Sequence, residues 1–257
     1  FIDSEIETWN MCPNHLEEAI KDRVSKGKKP KAIILVHLYG MPAKIDELLE
    51  VAKRYQIPVI EDAAEALGSS YKCRKCGTFG DYSILSFNGN KTITTGGGGA
   101  LLTNDPELAL HAKHVTTTAK IQHLWDFNHD EVGYNYRMPN LNAALLVAQL
   151  ENLETFLLSK RELAIAYADF FNDTTYRFVQ EPIDSQSNYW LNAIILKDQE
   201  QRDLFLDETN LKGVMTRPIW TLMNKLTMFQ NAQCGELTNA EWLAGRVVNI
   251  PSSVVVS

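Results

Sequence analysis

The chain has 257 residues, with 25 Lys+Arg against 32 Asp+Glu, a formal net charge of -7 and 45% apolar residues. Mild acidity without a block of like charges argues against a general nucleic-acid binder, which needs a basic face to displace counterions, and no apolar run approaches the roughly 20 residues of a bilayer-spanning helix. One large domain or two ordinary ones fit the length, and Cys12, Cys73, Cys76 and Cys234 fit the reduced thiols of a cytoplasmic protein better than a disulfide framework.

In chain order, Phe1-Ile2-Asp3 reads as the end of a strand, with no charged-then-apolar pattern of a secretory leader. Leu16 to Val24 is helix-like, and Lys31 to Val36 has the length of a short buried strand. Ile45 to Tyr55 has helical periodicity, with Leu48, Val51 and Ala52 on one face, and Pro58-Val59-Ile60-Glu61 is a second short strand ending in acidic residues. Such alternation predicts an α/β fold whose mostly parallel sheet is covered on both faces. Ligands of such sheets bind beyond the carboxyl ends of the strands, so the residues just after Val36 and Ile60 are the first candidates for chemistry. From Leu141 to about Phe171, with Ala143, Ala144, Val147 and Leu150 at spacings of three and four, the pattern predicts one long helix. Tyr189 to Leu196 then reads as a strand, Glu200 to Asn210 as a helix and Val214 to Trp220 as another strand. The expected division is a large domain over residues 1–150 and a smaller α/β domain over 151–257 that includes the linking helix. Val254-Val255-Val256-Ser257 reads as extended. With Phe1 at the other end, the sequence is expected to be a piece of a longer protein whose large domain is incomplete.

The segments richest in chemistry are Glu61-Asp62-Ala63-Ala64-Glu65-Ala66, Gly77-Thr78-Phe79-Gly80-Asp81, Ser86-Phe87-Asn88-Gly89-Asn90-Lys91 and Thr94-Thr95-Gly96-Gly97-Gly98-Gly99. Val36-His37-Leu38-Tyr39-Gly40 lies upstream and Gly133-Tyr134-Asn135-Tyr136-Arg137-Met138 downstream. In order and spacing these resemble the sugar-nucleotide aminotransferases of the DegT/DnrJ/EryC1/StrS group, pyridoxal 5'-phosphate (PLP) enzymes of fold type I. The four-glycine run and Thr116-Thr117-Thr118-Ala119-Lys120 are most similar to the branch that aminates 4-keto sugar nucleotides on the way to legionaminic-type sugars. The resemblance implies a cytoplasmic homodimer with a shared active site and no nucleic-acid or membrane partner. It implies a reaction that moves an amino group from glutamate to a UDP-linked 4-keto-6-deoxy-N-acetyl sugar. A non-catalytic or inactive relative on the same fold is the alternative.

Each implied role has a physical basis. Lys91 would bond the cofactor aldehyde. A lysine amine must be neutral to attack, and burial or a nearby cation favours that state. Once freed by substrate, it can move a proton. Asp62, at a strand's carboxyl end, can hold the pyridine nitrogen protonated. Ser86 matches the serine that holds the cofactor phosphate, a small hydroxyl that donates to an oxyanion without blocking it. Asn135 matches a residue that reaches the phosphate from the neighbouring subunit. Glu65 stands where many members of the group carry Gln or His near the cofactor's phenolic oxygen, and it donates a hydrogen bond only when protonated.

Other features are less specific. Gly96 to Gly99 lacks the spacing of nucleotide loops and reads as backbone that turns beside the lysine. Cys73-Arg74-Lys75-Cys76 has no second ligand pair nearby for zinc, and no metal is expected. Arg217 and Trp220, near the end of a small-domain strand, and His37, after the first strand, are candidate substrate residues. For Arg217 a structural salt bridge is an equal alternative, and for His37 a satisfied structural role. His123, Trp125 and His129 fall in a polar, aromatic loop.

Overall fold

A computed structural model of the chain describes residues 1–254. Pro13, at a position where its missing N–H costs nothing, opens helix α1 (Pro13–Ser25), which buries Leu16 and Ile20 one turn apart. Strand β1 (Ile33–Val36) alternates buried and exposed residues. Helix α2 (Ile45–Tyr55) has Asp46 and Glu47 in its first turn and Lys53 and Arg54 in its last, complementing the helix dipole. Strand β2 (Val59–Asp62) follows, then the hairpin of β3 (Ser70–Tyr71) and β4 (Arg74–Lys75), then β5 (Tyr82–Ser86) and β6 (Gly99–Leu102).

The first sheet has the order β1-β2-β5-β6. Its first three strands are parallel, with Val36 opposite Asp62 and Asp62 opposite Ile84. Strand β6 closes it antiparallel, with Ser86 opposite Gly99. One face packs on α1 and α2 through Leu16, Ile20, Leu35, Leu48, Val51 and Val59. The sequence predicts helices on both faces, but Ile34, Val36, Ile84 and Leu101 are exposed on the other.

Helix α3 (Pro106–Thr116) starts at Asp105, whose carboxylate accepts from the Glu107 and Leu108 N–H groups. The predicted long helix is two, α4 (Asn140–Glu151) and α5 (Leu153–Asn172). At Asn152 ψ is 0°, the N–H bonds three residues back to Gln149, and the side-chain amide donates to the Ala148 carbonyl. The hydrophobic period runs through this break, so only the backbone reveals it.

Strands β7 (Arg177–Phe178), β8 (Ser185–Gln186) and β9 (Asn192–Ile195), helix α6 (Gln199–Leu211), strand β10 (Arg217–Pro218), helix α7 (Thr238–Ala244) and strand β11 (Val247–Ile250) complete the chain. They include a second, antiparallel sheet of order β10-β11-β9-β7 and a small one of order β4-β3-β8. Phe171, Phe178, Ile194, Val247 and Val248 form a second core that also takes Trp9 and Tyr39. Of the strand expected over Val214 to Trp220 only Arg217 and Pro218 pair. Phe1 to Asp3 is not a strand: Ser4 bridges Met11, and the Phe1 amine donates to the Gln233 carbonyl. The extended reading of the last four residues falls, beyond Val254, outside the described residues.

Candidate active site

Because β1, β2 and β5 are parallel, their carboxyl ends share one edge. Alternation along β2 sends Glu61 into the core and Asp62 to the opposite face. Ser86, two residues beyond Ile84, lies on the Asp62 face of β5. Asp62 Oδ1 accepts from the Ala64 N–H at 3.1 Å, and Ser86 Oγ accepts weakly from the Asn88 N–H at 3.4 Å.

Lys91 sits in the loop from β5 to β6, with its N–H on the Asn88 carbonyl. Its Nζ lies 4.1 Å from the centre of the Trp190 ring and 3.5 Å from Glu65 Oε1. The second Glu65 oxygen accepts from the Tyr39 N–H at 2.8 Å, and Tyr39 is held in the left-handed region at φ 60°. Burial raises the Glu65 carboxyl above its ordinary range, against the pull of the Tyr39 N–H and Lys91, while the Asp62 charge adds to the rise. Glu65 is therefore where the fields of Lys91 and Asp62 meet.

Trp190 is fixed by two donations, Nε1 to the Asn90 carbonyl at 2.7 Å and its N–H to Asn188 Oδ1 at 2.8 Å. Asn188 in turn donates to the carbonyls of Glu65 and Leu67 and to Thr92 Oγ1. Gly40 makes this clasp possible: at φ 80° it has no Cβ, and one would lie 1.8 Å from Asn188 Oδ1. The Trp220 ring lies 6.1 Å from that of Trp190 and within 10° of parallel.

Lys91, Trp190, Arg217, Trp220 and Asn249 line a cleft of about 970 Å³, joined by Lys160 of α5. Among the described residues Arg217 makes no salt bridge; its guanidinium contacts Met215 Sδ at 3.8 Å. Lys160 is 4% exposed and donates to the Ser252 carbonyl at 2.6 Å and the Trp190 carbonyl at 3.3 Å. With no carboxylate paired to it among the described residues, burial lowers its amine to about 8.

The profile of the DegT/DnrJ/EryC1/StrS aminotransferase family matches residues 1–257. The chain belongs to that family. It is 39% identical over 252 residues to the GDP-perosamine synthase of Escherichia coli O157:H7, covering 98% of this chain and 67% of that one. It is 38% identical over 233 residues to EpsN of Bacillus subtilis, covering 90% of this chain and 60% of EpsN. Among solved structures, a DegT DnrJ EryC1 StrS aminotransferase from Brucella abortus superposes with a TM-score of 0.92 at 28% identity, over 100% of this chain and 69% of that one. The chain thus spans about 60% to two thirds of the curated relatives it matches, and the fold-type I architecture agrees with the family.

The structure corrects one candidate substrate residue. His37 is fully buried. Its Nδ1 accepts from the Ala43 N–H at 3.1 Å, which leaves the ring proton on Nε2, 2.9 Å from Glu61 Oε1. Both ring nitrogens are used inside the core, so His37 has none left for substrate. Asn135 is exposed, pairs with Thr117 across a bridge and does not line the cleft that holds Lys91. Cys73 is at the exposed tip of the β3–β4 hairpin while Cys76 is buried. Gly99 is needed for packing, since a Cβ there would lie 2.6 Å from the Leu85 carbonyl oxygen.

Trp190, Asn188 and Lys160 were not among the candidates. Tryptophan beside a strand reads as core, and a lysine in a helix reads as solvent-facing. The density of Ser187-Asn188-Tyr189-Trp190 is the one available signal.

Proposed function

We propose that the protein is a PLP-dependent aminotransferase that moves an amino group from glutamate to the 4-keto position of a UDP-linked 4-keto-6-deoxy-N-acetyl sugar. The observation that carries this reading is the Lys91 amine in an open cleft, against Trp190 and Glu65, beside a strand edge bearing Asp62 and Ser86. The donor set fits PLP: an amine for the aldehyde, a carboxylate for the ring nitrogen and a hydroxyl for the phosphate. Lys91, Asp62 and Ser86 take those roles, with Glu65 near the ring oxygen. Asn135 serves the phosphate of a second copy, which makes a homodimer with a shared site. Residues 1–150 carry the cofactor, 151–257 form the smaller domain, and the cytoplasm supplies the substrates.

When bound, PLP supplies an electron sink for charge that develops at the substrate carbon. The chain does the rest. Asp62 keeps a proton on the ring nitrogen by its negative charge. Lys91 Nζ, in its neutral form, takes a proton from the substrate carbon. Trp190 and Trp220 form an apolar wall that limits water. Arg217, which has no carboxylate partner among the described residues, meets a donor carboxylate or a sugar diphosphate with two parallel N–H groups.

A GDP-linked sugar is the second reading, favoured by the 39% identity to a GDP-perosamine synthase. Borohydride reduction of the purified, PLP-loaded protein, followed by peptide mass spectrometry, tests the assignment: an adduct is expected on Lys91 and absent in Lys91→Ala. No adduct on Lys91 would leave a binding-only protein. Glutamate should bleach the bound-cofactor absorbance where alanine does not, and product formation from UDP-linked and GDP-linked keto sugars separates the two acceptors.

A further inference from the structure

Away from the cleft, the ligand atoms of His114, Asp130 and Glu131 lie within 4.8 Å of one another, and His111 meets that group at Glu131. His111 and His114 are three residues apart on α3, so their side chains leave the same face of the helix. Opposite them, Asp130 and Glu131 lie on the loop that returns from residue 120. His114 Nε2 is 2.6 Å from Asp130 Oδ1 and 3.8 Å from Glu131 Oε1. His111 Nε2 is 3.0 Å from the same Glu131 oxygen. Among the described residues neither carboxylate pairs with a lysine or an arginine, so two negative charges face only imidazoles.

The locus is built on ordered backbone. Asp130 donates its N–H to the Ala119 carbonyl, and Lys120 bridges His129. The Ala119 N–H returns to the His114 carbonyl, and the Tyr134 N–H to the Val115 carbonyl. Loop and helix end are thus stitched together on both sides of the four side chains.

We propose that His114, Asp130 and Glu131 form a binding site for a divalent transition-metal ion, of which Zn²⁺ is the best match, with His111 beside Glu131 as the neighbouring imidazole. Imidazole nitrogen and carboxylate oxygen are its ordinary ligands at about 2.0–2.2 Å, which places neighbouring ligand atoms roughly 3–3.4 Å apart in tetrahedral or octahedral geometry. The His114 contacts, 2.6 Å to Asp130 and 3.8 Å to Glu131, bracket that spacing, and the three ligand atoms lie within 4.8 Å of one another. The two carboxylates also balance its charge. The ion replaces the histidine–carboxylate hydrogen bonds and ties the end of α3 to the segment that leads to Asn135. The assignment is independent of the aminotransferase reading.

Calorimetric titration of the purified protein with Zn²⁺ tests it, alongside thermal melting with and without the ion. One equivalent bound with micromolar or tighter affinity and a higher Tm is expected. Both should be lost in His111→Ala/His114→Ala and retained in Cys73→Ser/Cys234→Ser, which removes the exposed thiols as competing ligands. Circular dichroism checks that the histidine variant is folded, and Asp130→Asn/Glu131→Gln, which keeps both histidines, should lose the ion as well. Binding weaker than micromolar, or binding that survives loss of both histidines or of both carboxylates, would overturn the site and leave ordinary histidine–carboxylate pairs.

Discussion

The Lys91 amine rests 4.1 Å from the centre of the Trp190 ring, so the residue expected to do chemistry is seated on one that sequence patterning assigns to the core. Trp190 is 4% exposed and bonded through Nε1 to the Asn90 carbonyl, next to Lys91 itself. Trp190→Phe should keep most of the packing and lose the hydrogen bond, at a cost of about 1 kcal/mol. Trp190→Ala should cost about 3–5 kcal/mol. Urea denaturation gives the stabilities. If Trp190→Phe costs as much as Trp190→Ala, the ring is not acting through packing.

Glu61 sets an acid limit on the fold. Its buried carboxylate is pushed up by desolvation, but hydrogen bonds from His37 Nε2 and the Gly77 and Phe79 N–H groups outweigh that and hold it at about 2. A carboxyl depressed in the folded state stabilises above its unfolded value of 4.5, and this contribution is lost as pH falls toward 2. The full effect is roughly 3 kcal/mol. Glu61→Gln should flatten the pH dependence of unfolding between those limits and destabilise the protein at neutral pH. Parallel acid profiles for the two proteins would refute this.

Lys160 works in the opposite direction. Its amine falls from 10.5 to about 8 in the folded state because of burial. Between those values the unfolded chain binds more protons, so stability rises with pH, by up to roughly 3 kcal/mol across the window. In Lys160→Met that rise should vanish, while the Trp190 and Ser252 carbonyls lose their donor. Denaturation midpoints from pH 7.5 to 10.5, compared between the two proteins, read the difference directly.

The two thiols of Cys73-Arg74-Lys75-Cys76 should behave as unrelated groups. Cys73 is exposed, whereas burial and the nearby Glu61 charge raise the Cys76 thiol. Brief iodoacetamide treatment of the native protein should label Cys73 and leave Cys76 unmodified until the chain is denatured. Equal labelling rates would mean that the hairpin opens in solution.

Much of the first sheet was legible because β1 and β2 are short apolar runs and α2 carries a clean helical period, and Asp62 and Lys91 stand in motifs fixed by local sequence. What stayed hidden depends on contacts between distant segments. The position of His37 at a strand end says nothing about which way its ring turns, and only Glu61 and the Ala43 N–H determine that. The break at Asn152 leaves the apolar spacing intact. Lys160 looks like any helical lysine until α5 is packed against the chain after β11. The meeting of His114 with Asp130 and Glu131 likewise requires the loop to fold back on α3.

The clasp at Gly40 has an evolutionary consequence. Ser69 Oγ and Ser187 Oγ both donate to the Gly40 carbonyl, while Asn188 Oδ1 occupies the space a side chain at that glycine would need. Positions 40 and 188 are therefore not free to drift separately. A lineage that gains a side chain at the first must shorten or turn away the second, and with it release the carbonyls of Glu65 and Leu67. Aligned homologues should show the two positions changing together or not at all.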